Sequence, residues 1–529
     1  MALHPLPTIL LPPDSEILLE RVATDQGLRL LHDAVDVGVA TSLDTFDGRL
    51  ARRDLALQHE RCGRARNYLL MNSESVPLEV RATGRYAGGL RPAALPCALQ
   101  AAVAAAGERR LLPVFEHRFE RVSARLLDSR DKTIVTLTIW RGQVCAAAGL
   151  DAVAAEAPVD ALQQAPLICR VRALKGYEPQ AAHFADAIIV AHGVRVTPSG
   201  AVEALALAAG IDPRGFSSKL KLELHAQMSA GQALAELLRL MWWQMCVTET
   251  GTCQSTDSEF LHDFRVAIRR ARSWLARLKT LVEVDVLAEL NQELRWLGSV
   301  SGPVRDLDVY AVELDEYLKL LPGADARALN SLAAHVARSR RGAQRRLVLA
   351  LRSDRYQQFM LRFEHILQRM AEGGEGLSHD AAQPVRDVAI AAIRRQWRRV
   401  RREGRRIGPE TAAEALHDLR IECKKLRYLL EAFESLFPEA ATKVWLKGLK
   451  RLQDHLGSFQ DLEVQRERLK VFATEMDDRG RATVDSLLAM GRLTELLSQR
   501  QAAERQRFAD RWRRFDCDAV NVARKQHLR

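Results

Sequence analysis

The stretch LHDFRVAIRRARSWL, Leu261–Leu275, returns 155 residues later as LHDLRIECKKLRYLL, Leu416–Leu430. Six of the 15 aligned positions are identical, and two further positions exchange arginine for lysine and so keep their positive charge. The repeat therefore preserves a histidine and several cations in addition to its apolar residues. This pattern indicates that a surface was duplicated together with the fold, and a surface of this charge suits a polyanion.

The basic residues of each copy fall on one side of a predicted helix. At about 100° per residue, four of them lie within roughly 80° of one another. Apolar residues such as Phe264 and Ile268 take the neighbouring face, as in a helix packed on others, while Arg270 and Lys425 project away. A solvated charged face is the alternative for one helix alone, but the duplicated spacing favours function. We call these sets the basic stripes: His262, Arg265, Arg269 and Arg272 in the first copy, and His417, Arg420, Lys424 and Arg427 in the second.

The positive charge is concentrated in the part of the chain that carries the repeat. The 529 residues have a net charge of +11 and are enough for two or three domains. Residues 1–215 contain 24 basic and 24 acidic residues, so the whole surplus lies beyond them. A basic domain attracts nucleic acid, an anionic membrane or another polyphosphate, and the fold alone does not choose among these.

The remaining composition predicts a cytoplasmic protein without a metal or cofactor site. The eight cysteines contain no C-x-x-C pair, and their scatter resembles neither a zinc site nor a disulfide framework. Reduced thiols are the default for a cytosolic protein. The N-terminus does not read as a signal peptide. No apolar run approaches the roughly 20 residues of a membrane helix, so we expect no membrane partner.

Two kinds of segment follow one another along the chain. Alternating residues predict strands at 78–86, 115–128 and 133–140, and Thr197–Gly200 reads as a turn before a short helix. From about residue 219 helical periodicity prevails, with predicted breaks that include Gly298–Pro303. The expected domain plan is a tail (1–13), a mixed domain (14–196), a linker (197–218), a helical domain (219–515) and a second tail (516–529).

The duplication extends beyond the basic helix. Residues 296–309, WLGSVSGPVRDLDV, are similar to residues 452–464, LQDHLGSFQDLEV. Asp306 and Asp461 keep the 155-residue offset, whereas the two Leu-Gly-Ser triplets align only if a gap of four residues is allowed. The repeating unit is therefore several helices long.

The predicted repeats span about 258–395 and 396–515. Helices joined by short loops favour antiparallel bundles. Two copies related by a pseudo-two-fold axis would bring the basic stripes towards a shared groove.

The two copies of the motif, H-x-x-R-V-x-x-R-R-x-R and H-x-x-R-I-x-x-K-K-x-R-Y, resemble the CHAD family, named for its conserved histidine α-helical domain. The resemblance covers about residues 219–515. It implies two pseudo-symmetric four-helix bundles around a basic groove that binds inorganic polyphosphate without catalysis. By position, the implied ligand residues are His262, Arg265, Arg269, Arg270, Arg272, Arg305, His417, Arg420, Lys424, Lys425, Arg427 and Lys450.

Residues 14–196 are similar, more faintly, to the CYTH family, whose fold is an antiparallel triphosphate tunnel. SLDTFDGRLARRDLALQHER, residues 42–61, carries this resemblance. The family's catalytic pattern is missing, because Glu16 and Glu20 have different spacing and Gln58 and Glu60 stand where tunnel arginines are expected. The predicted fold class is therefore α+β: a degenerate, non-catalytic β-tunnel followed by an all-α domain.

Three functions remain open from the sequence. The first is polyphosphate binding, with localisation at polyphosphate granules and a protein partner at the N-terminal domain. The second is a metal-dependent triphosphatase or polyphosphatase that uses Glu16, Glu20 and Asp44. The third is general binding of RNA or DNA, but sequence-tolerant single-strand binders interleave aromatic residues for base stacking. Three aromatic residues lie near the basic stretches: Trp274, Trp397 and Tyr428.

Overall fold

The structure is a computed structural model that divides into two compact units, Met1–Ser218 and Lys219–Arg529. It confirms the predicted fold class, since an antiparallel sheet is followed by a helical domain. It describes residues 8–73, 77–82, 89–107, 109–147, 162–214, 216–217, 220, 222–374, 376–408, 410–517 and 526–528.

The N-terminal unit is built on one antiparallel sheet. Its spatial order is β10-β1-β9-β7-β6-β2-β3-β4-β5, and β8 pairs with β7. Within the described residues this path is open at both ends, so no closure into a tunnel is seen. The strands are β1 (Thr8–Leu11), β2 (Arg29–Asp44), β3 (Ala56–Cys62), β4 (Ala65–Met71), β5 (Leu78–Arg81), β6 (Leu112–Leu127), β7 (Thr133–Ala146), β8 (Gln163–Gln164), β9 (Leu167–Ala173) and β10 (Val194–Val196).

Helices cover both faces of this sheet. Alternate residues of a strand point to opposite faces, and Val122 of β6 packs with Leu19 and Phe184 on one of them. Phe115 of β6 packs with Leu205 on the other face. The helices are α1 (Glu16–Asp25), α2 (Cys97–Gln100), α3 (Glu178–Val190) and α4 (Pro198–Ala208).

The predicted turn at Thr197–Gly200 is wrong, because these residues begin α4. Thr197 is the N-cap of this helix, and its side chain accepts a hydrogen bond from the Gly200 amide. Proline at the first helical position is compatible with a helix because its missing N–H has no intrahelical partner there. The Pro-Ser-Gly sequence is therefore a helix start.

The second unit is built of helices and the loops between them in its described residues. One core runs through it and contains the fully buried Trp274, Trp397 and Trp445. No described helix combines the length and the apolar character that are needed to cross a membrane. The helices are α5 (Ala230–Gln254), α6 (Ser258–Arg277), α7 (Val284–Leu318), α8 (Gly323–Ala328), α9 (Asn330–Leu351), α10 (Asp354–Ala371), α11 (Val385–Gly404), α12 (Ala413–Ala432), α13 (Glu439–Asp477), α14 (Val484–Gln506) and α15 (Phe508–Phe515).

The helix boundaries repeat at one constant offset. Helices α6 and α12 begin and end 155 residues apart, α5 and α11 begin 155 residues apart, and so do α7 and α13. Consecutive helices pack in the same order in both copies, α5-α6-α7-α9 and α11-α12-α13-α14. The helix order thus starts the repeating unit at Ala230 and Val385, earlier in each copy than the bounds of 258 and 396 expected from the motif.

The break predicted at Gly298–Pro303 does not occur. Helix α7 is continuous through it and contains Pro303 in its interior. Proline removes a backbone hydrogen bond and is costly inside a helix, but Leu297, Val304 and Leu307 around it are all buried in the core. Burial of these residues therefore outweighs the tendency of proline to end a helix. Because proline is favoured at the first position of a helix, the sequence also predicts a helix start at Pro409. Pro409 lies outside the described residues, and α12 begins at Ala413.

Candidate polyanion-binding surface

Helix α6 positions the first basic stripe. Asp257 caps its N-terminus by accepting a hydrogen bond from the Glu259 amide at 2.8 Å. Phe264, Ile268 and their apolar neighbours are buried in the core. This fixes the rotation of the helix, so the four residues of the first stripe are half-buried on its neighbouring face.

Helix α12 positions the second basic stripe in the same way. Leu419, Cys423 and Leu426 are fully buried, and the three cations of the stripe are half-buried beside them. The histidines differ between the copies, because His417 is exposed whereas His262 is half-buried.

The two helices meet across the boundary between the repeats. The indole Nε1 of Trp274 donates a hydrogen bond to the backbone oxygen of Tyr428 at 2.9 Å. The guanidinium of Arg270 lies 3.1 Å from the carboxylate of Glu431. These contacts join α6 to α12 and bring the two stripes together.

The stripes act on one another electrostatically at Arg269 and Lys424, which occupy equivalent positions in the two copies and which we call the central pair. Within the described part of the chain, neither side chain makes an ion pair or a hydrogen bond. Burial and the charges of Arg420, Arg269 and Arg427 together lower the pKa of Lys424 to about 8, against the opposing effect of Asp461. Two half-buried cations thus repel one another at the centre of the surface.

A constant offset also relates the residues beneath the stripes, so the four-residue gap in the alignment is not needed. A Cβ atom on Gly302 would lie 3.4 Å from Nη1 of Arg265, and one on Gly457 would lie 3.6 Å from Nη2 of Arg420. Gly302 and Gly457 are 155 residues apart. The small residue below each arginine is therefore Gly302 in the first copy, and the Leu-Gly-Ser triplet at Gly298 lies one turn earlier.

The first stripe is the less neutralised of the two. Arg265 donates to two neutral acceptors, the Gly298 carbonyl at 3.0 Å and the Ser301 hydroxyl at 2.9 Å. Its pKa is lowered to about 10 by burial and by the charge of Arg269, although Asp306 opposes this. The pKa of Arg272 is lowered by burial and by the charge of Arg295.

Two cations of the second stripe are paired with carboxylates. Arg420 donates to the Asp461 carboxylate at 3.0 Å, and Nε of Arg427 lies 3.1 Å from the carboxylate of Glu431. Lys424 is the cation of this stripe without an ion pair in the described part of the chain. The two copies therefore have cations at equivalent positions, but the acidic partners of these cations differ.

Four other predicted residues lie around the stripes. Arg270 is buried against Glu431, and Lys425 is held by Glu422 at 2.7 Å. Arg305 lies 3.4 Å from the carboxylate of Glu259. Lys450 is exposed on α13.

One cation at the surface was missed from the sequence. Arg295 is exposed on α7, and its charge acts on Arg272. No motif contains it, but it lies 155 residues before Lys450, which the resemblance did include. The repeat offset was thus a signal that could have identified it.

The residues named for the two other functions have structural partners. Trp274 and Trp397 are fully buried, and Tyr428 is buried as well, so none of them offers an exposed ring for stacking on a base. Asp44 is buried, and its carboxylate accepts three backbone N–H groups. Burial raises the pKa of this carboxyl to about 6.

The other two acids of the triphosphatase hypothesis each have a basic partner. The carboxylate of Glu16 accepts a hydrogen bond from Arg141 at 2.6 Å, and that of Glu20 lies 3.6 Å from His32. Among the residues that the structure describes, no three His, Cys, Asp or Glu side chains form a group that could hold a metal ion.

Comparison with known proteins bears on the helical unit. Residues 236–470 match the family model of the CHAD domain, so the resemblance is confirmed over this range, which contains both stripes. The resemblance of residues 14–196 to the CYTH family is not confirmed. Two uncharacterized proteins from two strains of Mycobacterium tuberculosis are 28% identical over 282 residues, which is 50% of this chain and 52% of each relative. The chain thus spans about half the length of these curated relatives.

Two solved structures are similar to this chain. The crystal structure of the CHAD domain from the plant Ricinus communis has 25% sequence identity and a TM-score of 0.46, and the match covers 59% of this chain and 96% of that one. PptA from Streptomyces chartreusis has 17% identity and a TM-score of 0.44, with 54% and 99% covered.

Proposed function

We propose that the helical unit binds inorganic polyphosphate through the two basic stripes, without catalysis. The observation that carries the proposal is the central pair: Arg269 and Lys424 come from different repeats, repel one another and make no ion pair among the described residues. An anion that lies across both repeats would relieve their repulsion. The CHAD match over residues 236–470 supports the same ligand class.

The chemistry of polyphosphate fits such a surface. Polyphosphate carries about one charge per phosphate group and has no bases or sugars to recognise. A protein that binds it therefore needs many fixed cations and few shape-specific contacts. The guanidinium fork of arginine binds phosphate oxygens in pairs, and lysine adds a point charge. The stripe histidines, His262 and His417, can donate hydrogen bonds to phosphate oxygens.

Nucleic acid is the less suitable ligand for this surface. Backbone phosphates would bind any basic helix, but base stacking needs exposed aromatic rings. The three aromatic residues near the basic stretches, Trp274, Trp397 and Tyr428, are buried. We therefore expect a preference for polyphosphate over RNA of equal phosphate content.

The test is equilibrium binding of labelled long-chain polyphosphate at near-physiological salt, with RNA as competitor. The variant Arg269→Gln/Lys424→Gln removes the central pair. A control, Arg341→Gln/Arg345→Gln, removes the same charge from exposed positions of α9. We expect the first variant to bind at least about thirtyfold more weakly, since each charged hydrogen bond is worth about 1.5–3 kcal/mol, and the control to bind within about threefold of wild type. Equal losses in both variants, or equal displacement by RNA, would reduce the domain to a general polyanion surface.

Binding of this kind would retain the protein at cytoplasmic polyphosphate granules, with the N-terminal unit available to a protein partner. Fluorescence microscopy of tagged full-length protein should show foci that coincide with stained polyphosphate. The central-pair variant should be diffuse at equal expression. Foci that persist in this variant would assign granule recruitment to another part of the chain.

A further inference from the structure

A second basic cluster lies on another side of α13. It surrounds a cavity of about 340 Å³, lined by Gly448, Arg451, Arg511, Arg514 and Phe515. Arg451 and Gly448 belong to α13, and the other three residues belong to α15. Arg451 is one turn before His455, whose ring stacks on Phe508 of α15, whereas Gln453 faces the second stripe through Arg427.

Arg451, Arg511 and Arg514 are exposed, and in the described part of the chain none of their side chains makes an ion pair or a hydrogen bond. The neighbouring acids serve other cations: Asp516 pairs with Arg401 and Arg405, and Asp510 pairs with Arg513. Three positive charges therefore line a cavity whose described lining residues include no carboxylate.

The equivalent position of the first repeat is filled and neutral. Glu293 and Trp296 lie 155 residues before Gly448 and Arg451. Glu293 accepts two hydrogen bonds from Arg355, at 2.8 and 3.0 Å, and the guanidinium of Arg355 lies 4.3 Å from the centre of the Trp296 ring. In the second repeat glycine replaces the acid and arginine replaces the tryptophan. The change removes both the counter-charge and the side chain that would occupy the space.

We propose that this cavity is a phosphate site, separate from the basic stripes, which takes a short phosphoanhydride: pyrophosphate or the end of a polyphosphate chain. Arginine forks bind phosphate oxygens in pairs, and three of them around one cavity suit a compact anion of high charge. The volume corresponds to roughly ten water molecules, so a ligand of more than one phosphate group fits. The inference does not depend on what the stripes bind.

The test is calorimetric titration of the full-length protein with inorganic pyrophosphate, carried out in the Arg269→Gln/Lys424→Gln background to weaken binding at the stripes. Two variants address the cavity independently. Arg511→Gln/Arg514→Gln removes two of its charges. Gly448→Glu keeps every arginine but restores the acid of the first repeat, and it should not weaken the helix because glycine is a poor helix former. Arg513→Gln, an exposed arginine of α15 that is paired with Asp510, is the matched control.

We expect both cavity variants to weaken pyrophosphate binding at least tenfold and the control to leave it unchanged. Wild-type affinity in both folded cavity variants would overturn the inference, and a loss in the control equal to that in the cavity variants would do the same. Long-chain polyphosphate then separates the two sources of ligand. If the cavity variants lose binding of pyrophosphate but not of long-chain polyphosphate, the site binds the free anion. If they lose binding of both ligands, the site binds the ends of polyphosphate chains.

The two proposals can fail separately. If the central-pair variant bound long-chain polyphosphate like wild type while the cavity variants lost pyrophosphate, the proposed function would fail and the cavity site would stand. If instead the central-pair variant lost polyphosphate binding while the cavity variants kept pyrophosphate binding, the proposed function would stand and the cavity site would fail.

Discussion

The two repeats of the helical unit share a backbone plan but differ in how their charges are compensated. At equivalent places, Arg265 donates to neutral oxygens whereas Arg420 is paired with Asp461. Arg272 lies near another arginine, whereas Arg427 lies beside Glu431. The repeats thus present the same row of cations, but the first repeat has more uncompensated charge.

A different contrast holds at Glu293 and Trp296 and at their equivalents, Gly448 and Arg451. There the first repeat closes its surface with Glu293, Arg355 and Trp296, and the second leaves an arginine-lined cavity at Gly448. The central pair is alike in both copies, since neither Arg269 nor Lys424 makes an ion pair within the described residues. Both copies thus keep the cations of the central pair, whereas their side chains differ at the positions of Glu293 and Gly448.

The largest effect should come from reversing charge at the central pair. Arg269→Glu or Lys424→Glu alone should weaken polyphosphate binding by about tenfold or more, because each removes a charge-assisted contact and adds repulsion. The double variant should lose about a hundredfold or more. Fluorescence anisotropy with labelled polyphosphate would measure this. A double variant no weaker than the singles would show that only one copy contacts the ligand.

The next effect separates the two stripes. Arg272→Gln should weaken polyphosphate binding by about tenfold, whereas Arg427→Gln should cost only about two- to threefold, because Arg427 already interacts with Glu431. The same anisotropy titration at one salt concentration compares them directly. Equal losses would mean that internal acids do not weaken the contribution of the second stripe.

A smaller effect should appear with pH. Lys424 has a pKa of about 8 in the unbound protein, and nearby phosphates would raise it, so binding takes up a proton as the pH approaches and passes 8. Affinity should therefore fall between pH 7 and pH 9, by at most about tenfold per pH unit for one proton. Lys424→Arg should flatten this dependence. An equally steep fall in that variant would assign it to another group.

The smallest effect on binding is expected at the interior proline of α7. The second repeat has Ser458 where the first has Pro303, at the usual 155-residue offset. Pro303→Ser restores a backbone donor inside the helix and should raise the free energy of unfolding by about 1–3 kcal/mol. Denaturant unfolding would measure it, and polyphosphate affinity should stay within about twofold. A loss of stability would show that the helix is adapted to proline here.

Much of the helical unit could be predicted from its sequence because the repeat carries both chemistry and spacing. The duplicated histidine and cations located the stripes, and the apolar period placed them on the right face. The error at Gly298–Pro303 arose because glycine and proline usually end helices, whereas tertiary packing decides when flanking residues are buried. The same error suggested a gap in the alignment, although Gly302 matches Gly457 without one.

Other features of the site could not be predicted, because they depend on contacts between residues far apart in the sequence. Arg295 has no motif of its own and reaches the surface only because α7 packs beside α6. The ion pairs of Arg270 and Lys425 likewise depend on acids that a single motif does not predict. In the N-terminal unit, faint resemblance indicated an antiparallel sheet, but the order of its strands is a long-range property that only the structure displays.

The most direct test of one surface shared by both repeats is the salt dependence of polyphosphate binding. The dissociation constant would be measured for the wild type, for Arg269→Gln/Lys424→Gln and for the charge-matched Arg341→Gln/Arg345→Gln, over a range of salt concentrations. Each cation that contacts a phosphate contributes about one unit to the slope of log affinity against log salt. We predict that the central-pair variant has a slope shallower by about two units and that the control keeps the wild-type slope. An unchanged slope in the central-pair variant would contradict the account.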